Sequence, residues 1–149
     1  MTRRLKNYTS GMPPSRSVMK IEECLVEVGA TGIAKTYAGG CLTGITFQIM
    51  QNGSPLVFKL PANVKDITVR MLAEIKRARS GTNERIVTQA ERTAWKLLLD
   101  WVEVQASMIL IGRRQAVEVF LPYVYNPATE QTFFERLQES KFKLLEHRP

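Results

Sequence analysis

Chemistry needs nucleophiles, bases or metal ligands held close together, and this chain has few residues of those types. His147 is the only histidine, and it reads as a terminal surface residue rather than a general base. Cys24 and Cys41 fit neither a disulfide framework nor a tetrahedral zinc site, and they read as small apolar core residues in a reducing cytosol. The acids are scattered, and pairs such as Glu22/Glu23 and Asp100/Glu103 fall on solvated helix faces. A metal-dependent nuclease built on Asp66, Glu118 and neighbouring lysines is conceivable, but nothing in the spacing favours it. Gly39-Gly40 lies between two strands, where turn chemistry accounts for it better than phosphate binding does. The sequence therefore predicts a non-enzymatic protein with no cofactor and no metal.

Basic residues are the stronger signal. The net charge of +7 is localised. Residues 1–20 contribute +5, with Arg3, Arg4, Lys6, Arg16 and Lys20 and no acid. Residues 59–96 contribute another +5, whereas 21–58 and 97–149 are slightly acidic. Within the second block Arg70, Lys76, Arg77, Arg79 and Arg85 bracket the expected junction of two helices. Clustered charge is what attracts phosphate. The competing reading is a solvated helix end whose cations compensate the helix dipole.

These residues depend on the elements that carry them. Residues 1–17 read as a flexible basic arm, because Gly11, Pro13, Pro14 and three serines leave little apolar surface to offset the entropy of ordering. One α+β domain is expected over 18–149. Its first helix starts at Ser17 as N-cap, runs through Val28 on Val18, Ile21 and Leu25, and closes at Gly29. An antiparallel three-stranded meander follows, over Ile33–Tyr37, Leu42–Met50 and Leu56–Leu60. Asn52-Gly53 is a strong hairpin signal, since a type I′ turn needs positive φ at both central positions. Ile45, Phe47 and Ile49 share one face with Leu56, Phe58 and Leu60, a face that helices must cover.

A second helix is expected from Val64 to Arg79. A long amphipathic one follows from Glu84 to Gly112, with Val87, Ala90, Ala94, Leu97, Trp101, Val104, Met108 and Ile111 at helical spacing. Across from them Arg85, Arg92, Lys96, Asp100, Glu103 and Ser107 form a polar stripe. Trp101 reads as core, and Trp95, Leu99 and Val102 widen the buried surface, so that the helix is apolar over more than half its circumference. Such a helix is central to a domain or partly in an oligomer interface, so a homodimer is open. A short helix over 114–120 and a final one capped by Thr132 and Glu135 complete the chain.

The segments IEECLVEVGATGIAKTYAGGCLTGITF, QAERTAWKLLLDWVEVQASMI, VFLPYV and TFFERLQESKFKLL together resemble a family of small uncharacterised proteins. These are encoded by bacteriophages, prophages and other mobile elements. The resemblance covers about residues 20–146, carries no catalytic motif, and implies a bacterial cytoplasm and work on DNA or on host defence. The helix–three strands–helix order is also similar to that of double-stranded-RNA-binding domains. Ala62-Asn63-Val64-Lys65-Asp66, however, lacks the clustered lysines those domains place on phosphates.

Two functions are expected from these readings. The leading one is an accessory protein that binds DNA, single- or double-stranded, largely through backbone charge, in replication, recombination or regulation. Arg3, Arg4, Lys6, Arg70, Lys76, Arg77, Arg79 and Arg85 would make the contacts. The alternative is a protein-binding module that modulates or inhibits a host factor such as a defence complex, through exposed Tyr123 and Tyr125. No apolar run approaches the roughly 20 residues that span a bilayer.

Overall fold

The computed structural model describes residues 3–75, 81–112 and 114–147. Over these residues the chain is α+β, with five α-helices, a three-stranded antiparallel sheet and a separate two-stranded sheet. It divides into two compact units, Met1–Glu27 with Ala62–Ser107, and Val28–Pro61 with Met108–Pro149.

The first unit is helical. Helix α1 spans Pro14–Glu27 and buries Val18, Ile21 and Leu25. It begins earlier than the Ser17 cap predicts: the Pro13 carbonyl accepts from the Arg16 and Ser17 amides, and Pro14 takes the first helical position, where its missing N–H costs nothing. Ser17 is instead fully buried inside the helix, and its hydroxyl has no hydrogen-bond partner among the described residues. Helix α2 spans Val64–Ala73, and it stops well short of Arg79. The Glu74 and Ile75 amides reach back only three residues, to Met71 and Leu72, a tightening that ends a helix.

Helix α3 runs from Thr82 to Leu110, followed by Gly112 at φ 78°, as the glycine stop predicts. Its buried face is part of the wide surface expected, and the weight within it differs. Ala90 and Ala94 are buried as predicted, and so are Trp95, Leu99 and Val102, with Ala106 beside them. Trp101 is half-buried, while Val87, Val104 and Ile111 are exposed. At 3.6 residues per turn, the second set lies on nearly the opposite side from Trp101 and Val104. Both sets satisfy the three–four rhythm, so periodicity alone could not choose between them.

The second unit holds the meander. Strands β1 (Ala30–Ala38), β2 (Cys41–Gln51) and β3 (Ser54–Pro61) pair in that order. Both connections are two-residue turns: Gly39 and Gly40 have φ 58° and 80°, and Asn52 and Gly53 have φ 51° and 80°. All four positive values are what type I′ turns demand. Register slips next to Thr31 and Thr43, and each threonine hydroxyl donates across the strand pair, to the Gln48 and Thr36 carbonyls respectively. Gly44 suits a close approach, because a Cβ there would sit 3.0 Å from the Leu60 carbonyl oxygen, a tight contact.

Phe47 and Phe58 lie directly opposite on β2 and β3 and stack with ring centroids 5.0 Å apart. Helix α4 (Ala116–Phe120) sets Phe120 edge-on against both rings, at 5.2 and 6.1 Å. Edge-to-face and offset contacts of this kind add to the gain from burial. A 3-10 turn over Leu121–Tyr123 then leads to β4 (Tyr125–Asn126) and β5 (Gln131–Thr132), where the sequence suggested only a loop. Helix α5 (Phe133–Glu139) carries the predicted capping box: Thr132 Oγ1 accepts from the Glu135 amide, and Glu135 accepts from the Thr132 amide.

Candidate nucleic-acid interface

Five of the eight predicted phosphate-contacting residues are described, and all five belong to the first unit. Lys76, Arg77 and Arg79 lie outside the described residues.

The arm meets expectation in charge and departs from it in order. Rather than leaving the unit, it lies along α3. Thr93 donates its hydroxyl to the Asn7 carbonyl at 2.9 Å, and the Gln89 side-chain amide reaches the Tyr8 and Ser10 carbonyls, each at 3.0 Å. Asn7 holds a left-handed conformation, φ 65°, which its short polar side chain tolerates. Composition suggested a flexible arm because it counts apolar surface. The arm is held instead through its own main-chain acceptors, which every sequence has.

Asp100 anchors the other end. Its carboxylate accepts from Lys6, from Asn7 at 2.8 Å and from Lys96 at 2.6 Å. Partial burial would push its carboxyl up, but the hydrogen bonds from Lys6, Lys96 and Asn7 outweigh that and hold it at about 2. Gln89, Arg92, Lys96 and Asp100 follow one another at helical spacing, so the expected polar stripe is the surface on which the arm rests.

The arm also reaches α2. The Arg70 guanidinium donates to the Arg3 carbonyl, linking positions 67 residues apart in sequence, and pairs with Glu74 at 3.3 Å. The Arg4 guanidinium lies over the Tyr8 ring, 5.0 Å from its centroid. Arg85 donates to the Thr82 hydroxyl at 3.5 Å and lines a shallow surface depression with Glu84, Thr88, Gln89 and Arg92. Lys6 and Arg70 thus face carboxylates, whereas Arg4 and Arg85 face neutral groups. Arg92, left out of the predicted set, shares this depression, and its place on the Arg85–Lys96 stripe was the signal that could have found it.

Among the described residues no group of three His, Cys, Asp or Glu side chains could hold a metal ion. Asp66 and Glu118 fall in different units. Neither cysteine forms a disulfide; Cys24 is half-buried and Cys41 exposed, so neither is the fully buried core residue expected. Burial pushes the Cys24 thiol up, assisted by Glu103, Glu27 and Glu23. No helix among the described residues is long and apolar enough to cross a membrane. No protein-family model, curated protein or solved structure matches the chain.

The tyrosines of the alternative reading sit in the second unit, half-buried rather than exposed. Tyr125 lies beneath the Lys59 ammonium, 5.0 Å from its ring centre. Tyr123 lines an apolar groove with Pro61, Pro122 and Phe134, and with Thr132 and Glu135 of the capping box.

Proposed function

We propose that the first unit binds the phosphate backbone of DNA, as a non-enzymatic accessory protein of a phage or other mobile element. Replication, recombination or regulation would be its setting. The observation that supports this most is the Arg70–Arg3 hydrogen bond, because it brings together two basic segments that the sequence presents separately. Arg85 and Arg92 continue the surface on the stripe of α3 that holds the arm. Arg4 and Arg85 carry most of the attraction, since their contacts among the described residues are to neutral groups, the Tyr8 ring and the Thr82 hydroxyl. Lys6 and Arg70 contribute less, their charge being shared with Asp100 and Glu74. A pre-docked arm also presents its cations without a further ordering cost on binding.

Filter binding across a salt series tests this. Each phosphate neutralised adds roughly 0.9 to the slope of log K against log salt on duplex DNA and about 0.7 on single strands. Arg4→Ala with Arg85→Ala is expected to lower that slope by about two contacts and to weaken binding alike across sequences. Arg77→Glu with Arg79→Glu should lower it further. No binding of either form of DNA at low salt, or a slope that none of these variants changes, would sink the reading.

A further inference from the structure

We propose that the DNA taken by the first unit is single-stranded, with an unpaired base stacked on the Tyr8 ring. The inference rests on the DNA reading above and narrows it to one form of the polymer.

Charge alone does not choose between single and double strands, since both present phosphates. Exposed aromatic surface does, because the bases of a single strand are free to stack on it and those of a duplex are already paired. The first unit has three aromatic side chains among the described residues, Tyr8, Trp95 and Trp101. Trp95 is buried and Trp101 half-buried, whereas Tyr8 is 40% exposed.

The exposed ring is also the one set among cations. The Arg4 guanidinium lies over it, a planar cation on which a base can stack as well. Gln89 holds the Tyr8 carbonyl at 3.0 Å and lines the depression that contains Arg85 and Arg92. Those arginines stand four residues before Gln89 and three after it, so each is about one helical turn from the point where Tyr8 is held. A backbone laid along Arg85 and Arg92 therefore runs past Tyr8, and a single strand can turn a base onto its ring.

The ring does not hold the arm in place. The anchors are the Asn7, Tyr8 and Ser10 carbonyls on Thr93 and Gln89, with the Lys6 and Asn7 side chains on Asp100. Tyr8 gives this docking its main chain: its carbonyl meets Gln89, and its amide donates to the Leu5 carbonyl at 3.3 Å. A fixed backbone thus presents the ring, which lowers the ordering cost of stacking.

Fluorescence anisotropy on the full chain tests the proposal with three probes of equal length, about 12 nucleotides. These are an oligothymidylate, an abasic strand with the same phosphates, and a blunt duplex. The thymidylate strand should bind most tightly, ahead of the abasic strand by about 5- to 100-fold, the range for one stacked base. Tyr8→Leu should lose that advantage without weakening the abasic strand further, and Tyr8→Phe, which keeps the ring, should retain it. Neither variant should change the salt slope, because Tyr8 brings no cation to the phosphates. Trypsin should cut after Lys6 in Tyr8→Leu as slowly as in wild type, showing that the arm stays docked. A duplex bound more tightly than the thymidylate strand, or an advantage that Tyr8→Leu leaves intact or Tyr8→Phe also abolishes, overturns the inference while the DNA reading stands. Absence of binding to all three probes at low salt overturns both.

Discussion

Asp100 shows how a single side chain can decide whether a polar segment is ordered. Three donors converge on it, from Lys6, Asn7 and Lys96, and its carboxyl is held at about 2 against an ordinary 3.8. A depressed carboxyl contributes stability that is fully present above the ordinary value and lost as the pH falls through the depressed one. Thermal melts should therefore show a loss between about pH 4 and pH 2 that Asp100→Asn does not share. Since the Lys6 side chain is 64% exposed, solvent and salt screen much of the effect. Trypsin should also cut after Arg3, Arg4 and Lys6 sooner in that variant, because the arm loses an anchor. Equal acid limbs for the two proteins would show that Asp100 titrates free of the arm. None of this was readable from the acid itself, since Asp100 stood in the sequence as one member of a solvated stripe.

At the scale of elements, the hairpins and the α5 cap were legible and the face of α3 only in part. Gly39-Gly40, Asn52-Gly53 and the Thr132/Glu135 box act over two to four residues, so sequence spacing contains the whole interaction. The α2 boundary failed for a related reason: helix propensity continues through Lys76 and Arg77, but the last turn tightens after Ala73. In α3 both the Trp101 and the Trp95 stripes are apolar, and only burial separates them. Trp95 is 1% exposed and Trp101 is half-buried. Trp95→Ala should therefore cost about 3–5 kcal/mol in denaturant melts, and Trp101→Ala clearly less. A larger loss at Trp101 would restore the face predicted from periodicity.

Across the whole molecule the described residues of the proposed DNA surface all belong to the first unit. Lys59 falls in the second unit, over the Tyr125 ring, although the sequence counts it in the same basic block. Substitutions at sites without shared partners add. Lys59→Ala should accordingly leave the salt slope unchanged, alone or combined with Arg4→Ala and Arg85→Ala. A fall of about one contact in filter binding would mean that the second unit meets DNA too. The net charge of +7 told little by itself. Its division along the chain located two basic segments, and only tertiary structure joined them, through the Arg70–Arg3 bond and the contacts of Gln89 and Thr93 with the arm. The sequence by itself determined the α+β class, the strand order and turns, the capping box and the polar stripe of α3, all set by residues within a turn or a strand pair of one another. Tertiary structure decided that the arm docks, which part of the apolar surface of α3 is buried, and that the Tyr8 ring stays exposed beside Arg4. Those outcomes depend on which surfaces meet across long stretches of chain, and local periodicity carries no record of that.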